Sequence, residues 1–258
     1  MRRARPEDKY TVVEHLTELR FRIVIALGAL IVAFGVAYAF HTELIDLLQR
    51  PLPEEQRDNL KTFSPTEPFF TVLKVSFWAA VIVSVPIWLY QLYAFVIPAV
   101  SEQSRRMMLL IVAGISSLFL AGVAFGYFIV LPVALRFLLD FGGDSFDTQL
   151  RAGEYFGFAM GLMLGAGLMF ELPAAMLAFA RMGLATAAMY RRQWRVALVA
   201  IAAIAAILPG GDPSSMFLLM IPQIFLYALG IWLAAIFGGT PIWVGETRAG
   251  DEQPESTG

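Results

Sequence analysis

Residues 155–180 read YFGFAMGLMLGAGLMFELPAAMLAFA, a run of 26 positions with a single charged side chain, Glu171. A helix of this length is about 39 Å long, enough to cross a ~30 Å hydrocarbon core with some tilt. The run therefore predicts a transmembrane helix, and the function of the chain depends on why that helix tolerates a carboxyl group.

Glu171 lies two-thirds of the way along this helix, where a carboxylate costs on the order of 3 kcal/mol. Pro173 follows two positions later and removes a backbone donor. One interpretation is structural: Glu171 is protonated, or bonded to a neighbouring helix, and holds the helices together. The other is functional: Glu171 faces a wet cavity or a partner inside the membrane. Neither makes it catalytic, because no histidine or cysteine is near in sequence.

The composition excludes a soluble domain, which has about 45–50% apolar and about 25% charged residues. This chain has 58% hydrophobic and 16% charged residues and a mean hydropathy of +0.67. It has no cysteine, and its two histidines, His15 and His41, flank the first apolar segment, which argues against a metal site. Gly-rich phosphate loops and serine elbows are absent from the sequence. We expect neither enzymatic activity, nor a cofactor, nor nucleic-acid binding.

Five further apolar segments make six transmembrane helices in all. An even number places both termini on one side, and Lys and Arg concentrate in the N-terminal tail and at the ends of the second and fourth loops. The positive-inside rule therefore predicts cytoplasmic termini. We expect one membrane domain over 1–237 and an acidic, disordered cytoplasmic tail over 238–258. The five segments are 21–40, 72–97, 107–133, 195–208 and 214–237.

Two features outside the long segments are informative. In the first outer loop, residues 42–49 (TELIDLLQ) predict an amphipathic helix suited to the outer interface, and Pro51 fixes a turn after it.

The fifth segment has only 14 residues, which cover about 21 Å as a helix, well short of a bilayer core. Either the turn at 209–213 lies below the outer interface or the bilayer thins locally, and we favour thinning.

The segment before the first apolar run carries Glu14, Glu18 and Arg22 at four-residue spacing, which places them on one face of a helix. One interpretation is a juxtamembrane helix with solvated ion pairs. The alternative is that the acids bind a cationic ligand, because carboxylates accept paired hydrogen bonds from guanidinium groups.

An ordered set of motifs resembles TatC, the receptor subunit of the twin-arginine protein translocase. The set covers residues 12–236 and runs in the same order as in that family. The motifs are HLTELR at 15–20, SPTEPFFTVLK at 64–74, PIWLYQLYAFVIPA at 86–99, FGYF at 125–128, FELP at 170–173 and PGGDP at 209–213.

The resemblance implies a concave, glove-like bundle of six helices in a bacterial or archaeal cytoplasmic membrane. It implies binding of folded proteins that carry Ser/Thr-Arg-Arg signal peptides, recruitment of single-span TatA- and TatB-type partners, and self-association. It also implies transport driven by the proton-motive force, without nucleotide hydrolysis by this subunit.

The resemblance also implies site residues. Glu18 matches the signal-binding glutamate of the N-terminal motif, with Glu14 and Arg20 beside it. A second family glutamate directly precedes a basic pair; here Ser104 holds that position before Arg105 and Arg106, and the nearest acid is Glu102. Two positions rotate a helical side chain by about 200°, so Glu102 is a substitute only if the loop is not helical there.

Other matches imply intramembrane and partner contacts. Glu171 matches the fourth-span glutamate on the concave face. Leu208, Met216 and Ala228 stand where family members often carry polar residues, so the polar partner-contact cluster is poorer here. The remaining residues assigned to partner or structural roles are Pro51, Phe69, Phe70, Tyr127, Asp212 and Gln223.

Two rival hypotheses remain. A proton-coupled secondary transporter of small solutes, with Glu171 as proton site, predicts inverted repeats, and the sequence has no such internal symmetry. A membrane scaffold without ligand predicts that the juxtamembrane acids are dispensable.

Overall fold

A computed structural model describes residues 12–57, 59–96, 102–141, 149–208 and 213–238. Regular structure in these ranges is helical, apart from one isolated bridge between Lys61 and Arg151. The helices are α1 (Val12–Ala39), α2 (His41–Gln49), α3 (Glu54–Arg57), α4 (Glu67–Val96), α5 (Glu102–Phe125), α6 (Leu131–Asp140), α7 (Ala152–Phe170), α8 (Leu172–Arg181), α9 (Ala187–Arg192), α10 (Trp194–Ile207) and α11 (Pro213–Phe237), with a π-helical turn, Gly126–Val130, between α5 and α6.

Among the described residues, five helical stretches are long and apolar enough to cross a membrane, and α10 is a sixth, shorter one. This confirms the predicted all-α membrane fold. The fifth segment is a 14-residue helix, as the sequence predicts. The five long stretches are Leu16–Ala39, Glu67–Leu92, Val112–Asp140, Ala152–Arg181 and Pro213–Phe237.

The chain divides into two compact units. The first comprises Met1–Leu47 and Ser64–Ser117. Within it α1 packs along α4, and the indole Nε1 of Trp88 on α4 donates a 3.0 Å hydrogen bond to the backbone oxygen of Ala26 on α1. An indole N–H in an apolar environment needs a partner, so this bond sets the position of α1 against α4.

The second unit comprises Leu48–Phe63 and Leu118–Gly258. In it the end of α5 lies so close to α7 that two glycines are required. A Cβ on Gly122 would lie 2.7 Å from the backbone oxygen of Ala166, and one on Gly167 would lie 2.7 Å from Cε2 of Phe119. Close backbone approach through glycine is a common way for helices to associate in a membrane.

Polar contacts join α8, α9 and α11 in the same unit. The hydroxyl of Tyr227 donates to the backbone oxygen of Tyr190 at 2.6 Å, and the hydroxyl of Tyr190 donates to the backbone oxygen of Met176 at 3.1 Å. Burial raises the pKa of the Tyr190 hydroxyl, so it stays a donor at neutral pH. At the end of α11, Nε of Arg181 donates to the backbone oxygen of Phe237 at 3.1 Å.

The loop after α2 folds onto the start of α7. Tyr155 donates its hydroxyl to the backbone oxygen of Leu48, and both residues are buried. The backbone of Lys61 exchanges two 2.9 Å hydrogen bonds with Leu150 and Ala152. The predicted helix over residues 42–49 is therefore present as α2, and its end is covered by protein at Leu48.

Candidate functional site

The first polar site lies near the N-terminal end of α1. Nε of Arg22 donates to Oε1 of Glu18 at 3.1 Å, and Nη2 of Arg22 donates to the same oxygen. The side chains are only 20% exposed for Arg22 and 30% for Glu18, so water only partly screens the pair. Oε2 of Glu18 has no hydrogen-bond partner in the described part of the chain. The i,i+4 pair that the spacing suggests is therefore formed, with one carboxylate oxygen left open.

Helix α4 supports this pair from the side. Nη1 of Arg22 lies 3.4 Å from Oε1 of Gln91, which accepts its hydrogen bond. Gln91 is three residues from Trp88, which itself bonds to α1. The sequence analysis assigns no role to Gln91. Its amide is a lone one in the apolar second segment, and this was a usable signal that the side chain has a polar partner.

Several residues assigned to signal binding lie apart from this pair or outside what is described. Arg20 is exposed and, two positions from both partners, faces away from them on the helix. The side chains of Glu14 and Glu102 lie outside the described residues. Glu102 is the first residue of α5, so the chain from 102 onward is helical and position 102 is rotated about 200° from position 104. Its role stays a prediction.

The second polar site is Glu171, which interrupts the fourth transmembrane segment. Helix α7 ends at Phe170 and α8 begins at Leu172; the backbone N–H of Glu171 bonds to the oxygen of Leu168 at 3.1 Å. The break follows from Pro173, which cannot donate to the preceding turn. Both side-chain oxygens of Glu171 are buried, and neither has a hydrogen-bond partner among the described residues.

A third polar group, Gln223 on α11, belongs to the same unit as Glu171. Its side chain is 1% exposed, and Nε2 has no partner in the ranges that the structure describes. Tyr127 is buried, whereas Phe69 and Phe70 are exposed and Pro51 is partly exposed. Asp212 lies outside the described residues. The described part of the chain contains no cluster of His, Cys, Asp or Glu side chains suited to a metal ion.

Replacing Glu171 with leucine is expected to raise the free energy of unfolding by about 1–3 kcal/mol, because the substitution removes two buried, unpartnered oxygens. Thermal unfolding in detergent measures the change. Glu154→Gln is the control: this acid lies in the same segment but is exposed, so its replacement should change stability by less than about 1 kcal/mol. A destabilised Glu171→Leu variant would contradict the prediction and indicate a partner for the carboxyl group.

These features define a multi-pass α-helical membrane protein with polar side chains in or beside its membrane segments. The family described as "Sec-independent protein translocase protein (TatC)" matches residues 14–222. A TatC protein of Desulforapulum autotrophicum is 35% identical over 237 residues, which cover 91% of this chain and 88% of the relative. The chloroplastic TATC of Arabidopsis thaliana is 34% identical over 235 residues, covering 90% of this chain and 69% of the relative.

Solved structures agree with the sequence relatives. A crystal structure of the twin arginine translocase receptor TatC is 32% identical in sequence to this chain and superposes with a TM-score of 0.72. The match covers 86% of this chain and 98% of the chain in that structure. The same receptor crystallised in DDM has a TM-score of 0.75 over 86% and 100% of the two chains. The chain belongs to the TatC family. It is thus a protein translocase component and not an enzyme, and the family resemblance of its motifs is confirmed.

Proposed function

We propose that this protein is the receptor that binds twin-arginine signal peptides of folded client proteins at the cytoplasmic membrane, with both of its termini in the cytoplasm. The observation that carries the proposal is that the Glu18 carboxylate already binds a guanidinium group in a half-buried position beside the first membrane segment. The similarity to structures named as the twin-arginine translocase receptor supports the same role.

In this proposal a client arginine forms charge-assisted hydrogen bonds to Glu18. The candidates for the second arginine are Glu14, four positions before Glu18 in sequence, and Glu102, on the family resemblance, although α5 is helical from Glu102 on. Arg20 is an exposed cation that can contact acidic or backbone groups of the client. The apolar part of the signal peptide then enters the membrane, where Glu171 is a polar contact for it. The unpartnered oxygens of Glu171 support this last assignment.

We further propose that TatA- and TatB-type single-span proteins bind to the membrane-embedded surface, and that export draws on the proton-motive force. The unpartnered Nε2 of Gln223 supports an intramembrane contact on α11. Asp212, Tyr127, Phe69, Phe70 and Pro51 are assigned to partner or structural roles on the family resemblance. Self-association of the receptor in the bilayer belongs to the same proposal.

Peptide binding tests the receptor function. The purified protein in nanodiscs is titrated with a labelled signal peptide containing Arg-Arg and with a matched Lys-Lys peptide. We expect at least about 10-fold weaker binding of the lysine peptide, because lysine cannot form the paired bonds of a guanidinium. Equal binding of the two peptides would contradict the proposal. Proton-coupled uptake of a small solute by reconstituted protein would favour the transporter hypothesis instead.

A further inference from the structure

In this structure the Glu18 carboxylate is bonded to a guanidinium group, the same chemical group that the proposed ligand would present. Arg22 presents a guanidinium to the carboxylate, as a client arginine would. Its two donors, however, converge on one oxygen, Oε1, instead of bridging both oxygens of the carboxylate. The paired, fork-like contact that makes arginine–carboxylate recognition strong is therefore not formed by Arg22.

We propose that Arg22 is an internal competitor that client arginines must displace from Glu18, with Gln91 holding the displaced guanidinium. This inference rests on the proposed receptor function and deepens it. A ligand gains access to Glu18 only if it binds the carboxylate better than Arg22 does. A resident competitor weakens the binding of every such ligand by the same factor, so Arg22 sets the affinity that any ligand of Glu18 must exceed.

The geometry sets how high that threshold is. Partly exposed ion pairs at i,i+4 spacing are weak and correspond to about 2- to 5-fold in an equilibrium constant. A client arginine that bridges both carboxylate oxygens can exceed this. A lysine makes a single-point contact, so its intrinsic affinity is lower, and competition by Arg22 reduces that lower affinity by the same factor. At a given client concentration, Arg22 therefore lowers the occupancy of the site by weakly binding Lys-Lys signals, while the ratio of the two dissociation constants stays the same.

Gln91 makes the displacement feasible. Arg22 is 20% exposed, so a guanidinium released from Glu18 needs another acceptor close by. Oε1 of Gln91 lies 3.4 Å from Nη1 of Arg22. Because this amide oxygen is neutral, it holds Arg22 without attracting the client arginines away from the Glu18 carboxylate. Because Trp88 anchors α4 to α1 at Ala26, this acceptor stays at the right distance. Arg22 already donates to both partners, so its release from Glu18 leaves the bond to Gln91 in place.

The test compares dissociation constants for an Arg-Arg and a matched Lys-Lys signal peptide in three variants of the full chain. Arg22→Gln should bind the Arg-Arg peptide and the Lys-Lys peptide about 2- to 5-fold more tightly each, with the ratio of the two dissociation constants unchanged. Gln91→Leu should weaken Arg-Arg binding by a similar factor. In the double variant the Gln91 effect should disappear, because there is no displaced guanidinium to accept.

Glu18→Gln distinguishes a failure of the competitor role of Arg22 from a failure of the receptor function. If Glu18→Gln loses peptide binding but Arg22→Gln binds as wild type or more weakly, the competitor role is overturned and the receptor function stands. If Glu18→Gln binds as wild type, the assignment of Glu18 itself fails. Thermal unfolding checks each variant. Should Arg22→Gln not fold, Arg22→Lys decides: tighter Arg-Arg binding supports competition, and unchanged or weaker binding overturns it.

Discussion

Glu18→Gln is expected to weaken binding of a twin-arginine signal peptide by about 10- to 100-fold. Hydrogen bonds that involve a charged group contribute about 1.5–3 kcal/mol, and each 1.4 kcal/mol corresponds to a tenfold change in the dissociation constant. Glutamine keeps the size of the side chain and one acceptor oxygen but removes the charge. Fluorescence anisotropy with a labelled peptide, at fixed low salt, measures the effect.

The control for this variant is Glu43→Gln, which removes an exposed acid from α2. It should leave peptide affinity unchanged. Glu18→Gln should also leave the unfolding temperature nearly unchanged, because an i,i+4 pair contributes only about 0.2–0.5 kcal/mol to a helix. Unaltered peptide binding by a folded Glu18→Gln variant would refute the role of this carboxylate in recognition.

The second large effect concerns stability. Gly122→Ala is expected to lower the free energy of unfolding by about 1–3 kcal/mol, the usual cost of overpacking. The added methyl group would lie 2.7 Å from the backbone oxygen of Ala166 and 2.8 Å from Cβ of Phe170. Backbone atoms of a packed helix cannot move aside locally, so α5 and α7 must separate. Unfolding of the purified protein in detergent measures the loss.

Gly114→Ala provides a matched control on the same helix. Nothing lies within 4 Å of a Cβ built at Gly114. Alanine there should be neutral or stabilising by up to about 1 kcal/mol, since glycine is the weaker helix former. If both alanine variants unfold alike, the close approach of α5 and α7 at Gly122 is not what stabilises the second unit.

Much of the fold could be predicted because the bilayer constrains it directly. The predicted segments 155–180 and 214–237 correspond to Ala152–Arg181 and Pro213–Phe237, and the short fifth segment is the 14-residue helix α10. Hydrocarbon thickness sets the length of each apolar run, and helical structure satisfies every backbone donor within the run. The break at Glu171 was likewise foreseeable from Pro173.

The candidate site could be predicted only in part. The spacing of Glu18 and Arg22 predicts their ion pair, because residues four apart on a helix are neighbours. Gln91 completes that site from a position 69 residues away; its lone amide in an apolar segment marks it as unusual, but no local pattern indicates that its partner is Arg22. The sequence identified Glu171 as an unusual residue. It did not predict that neither of its side-chain oxygens has a hydrogen-bond partner among the described residues.

The sequence by itself determined the number, type and approximate ends of the membrane helices, since these depend on the polarity of consecutive residues. Only the tertiary structure decided which side chains meet: Arg22 with Gln91, Gly122 with the backbone of Ala166, and Tyr155 with the backbone of Leu48, 107 positions apart. Such contacts depend on the packing of distant helices against one another, where small residues and single hydrogen bonds select one arrangement among many.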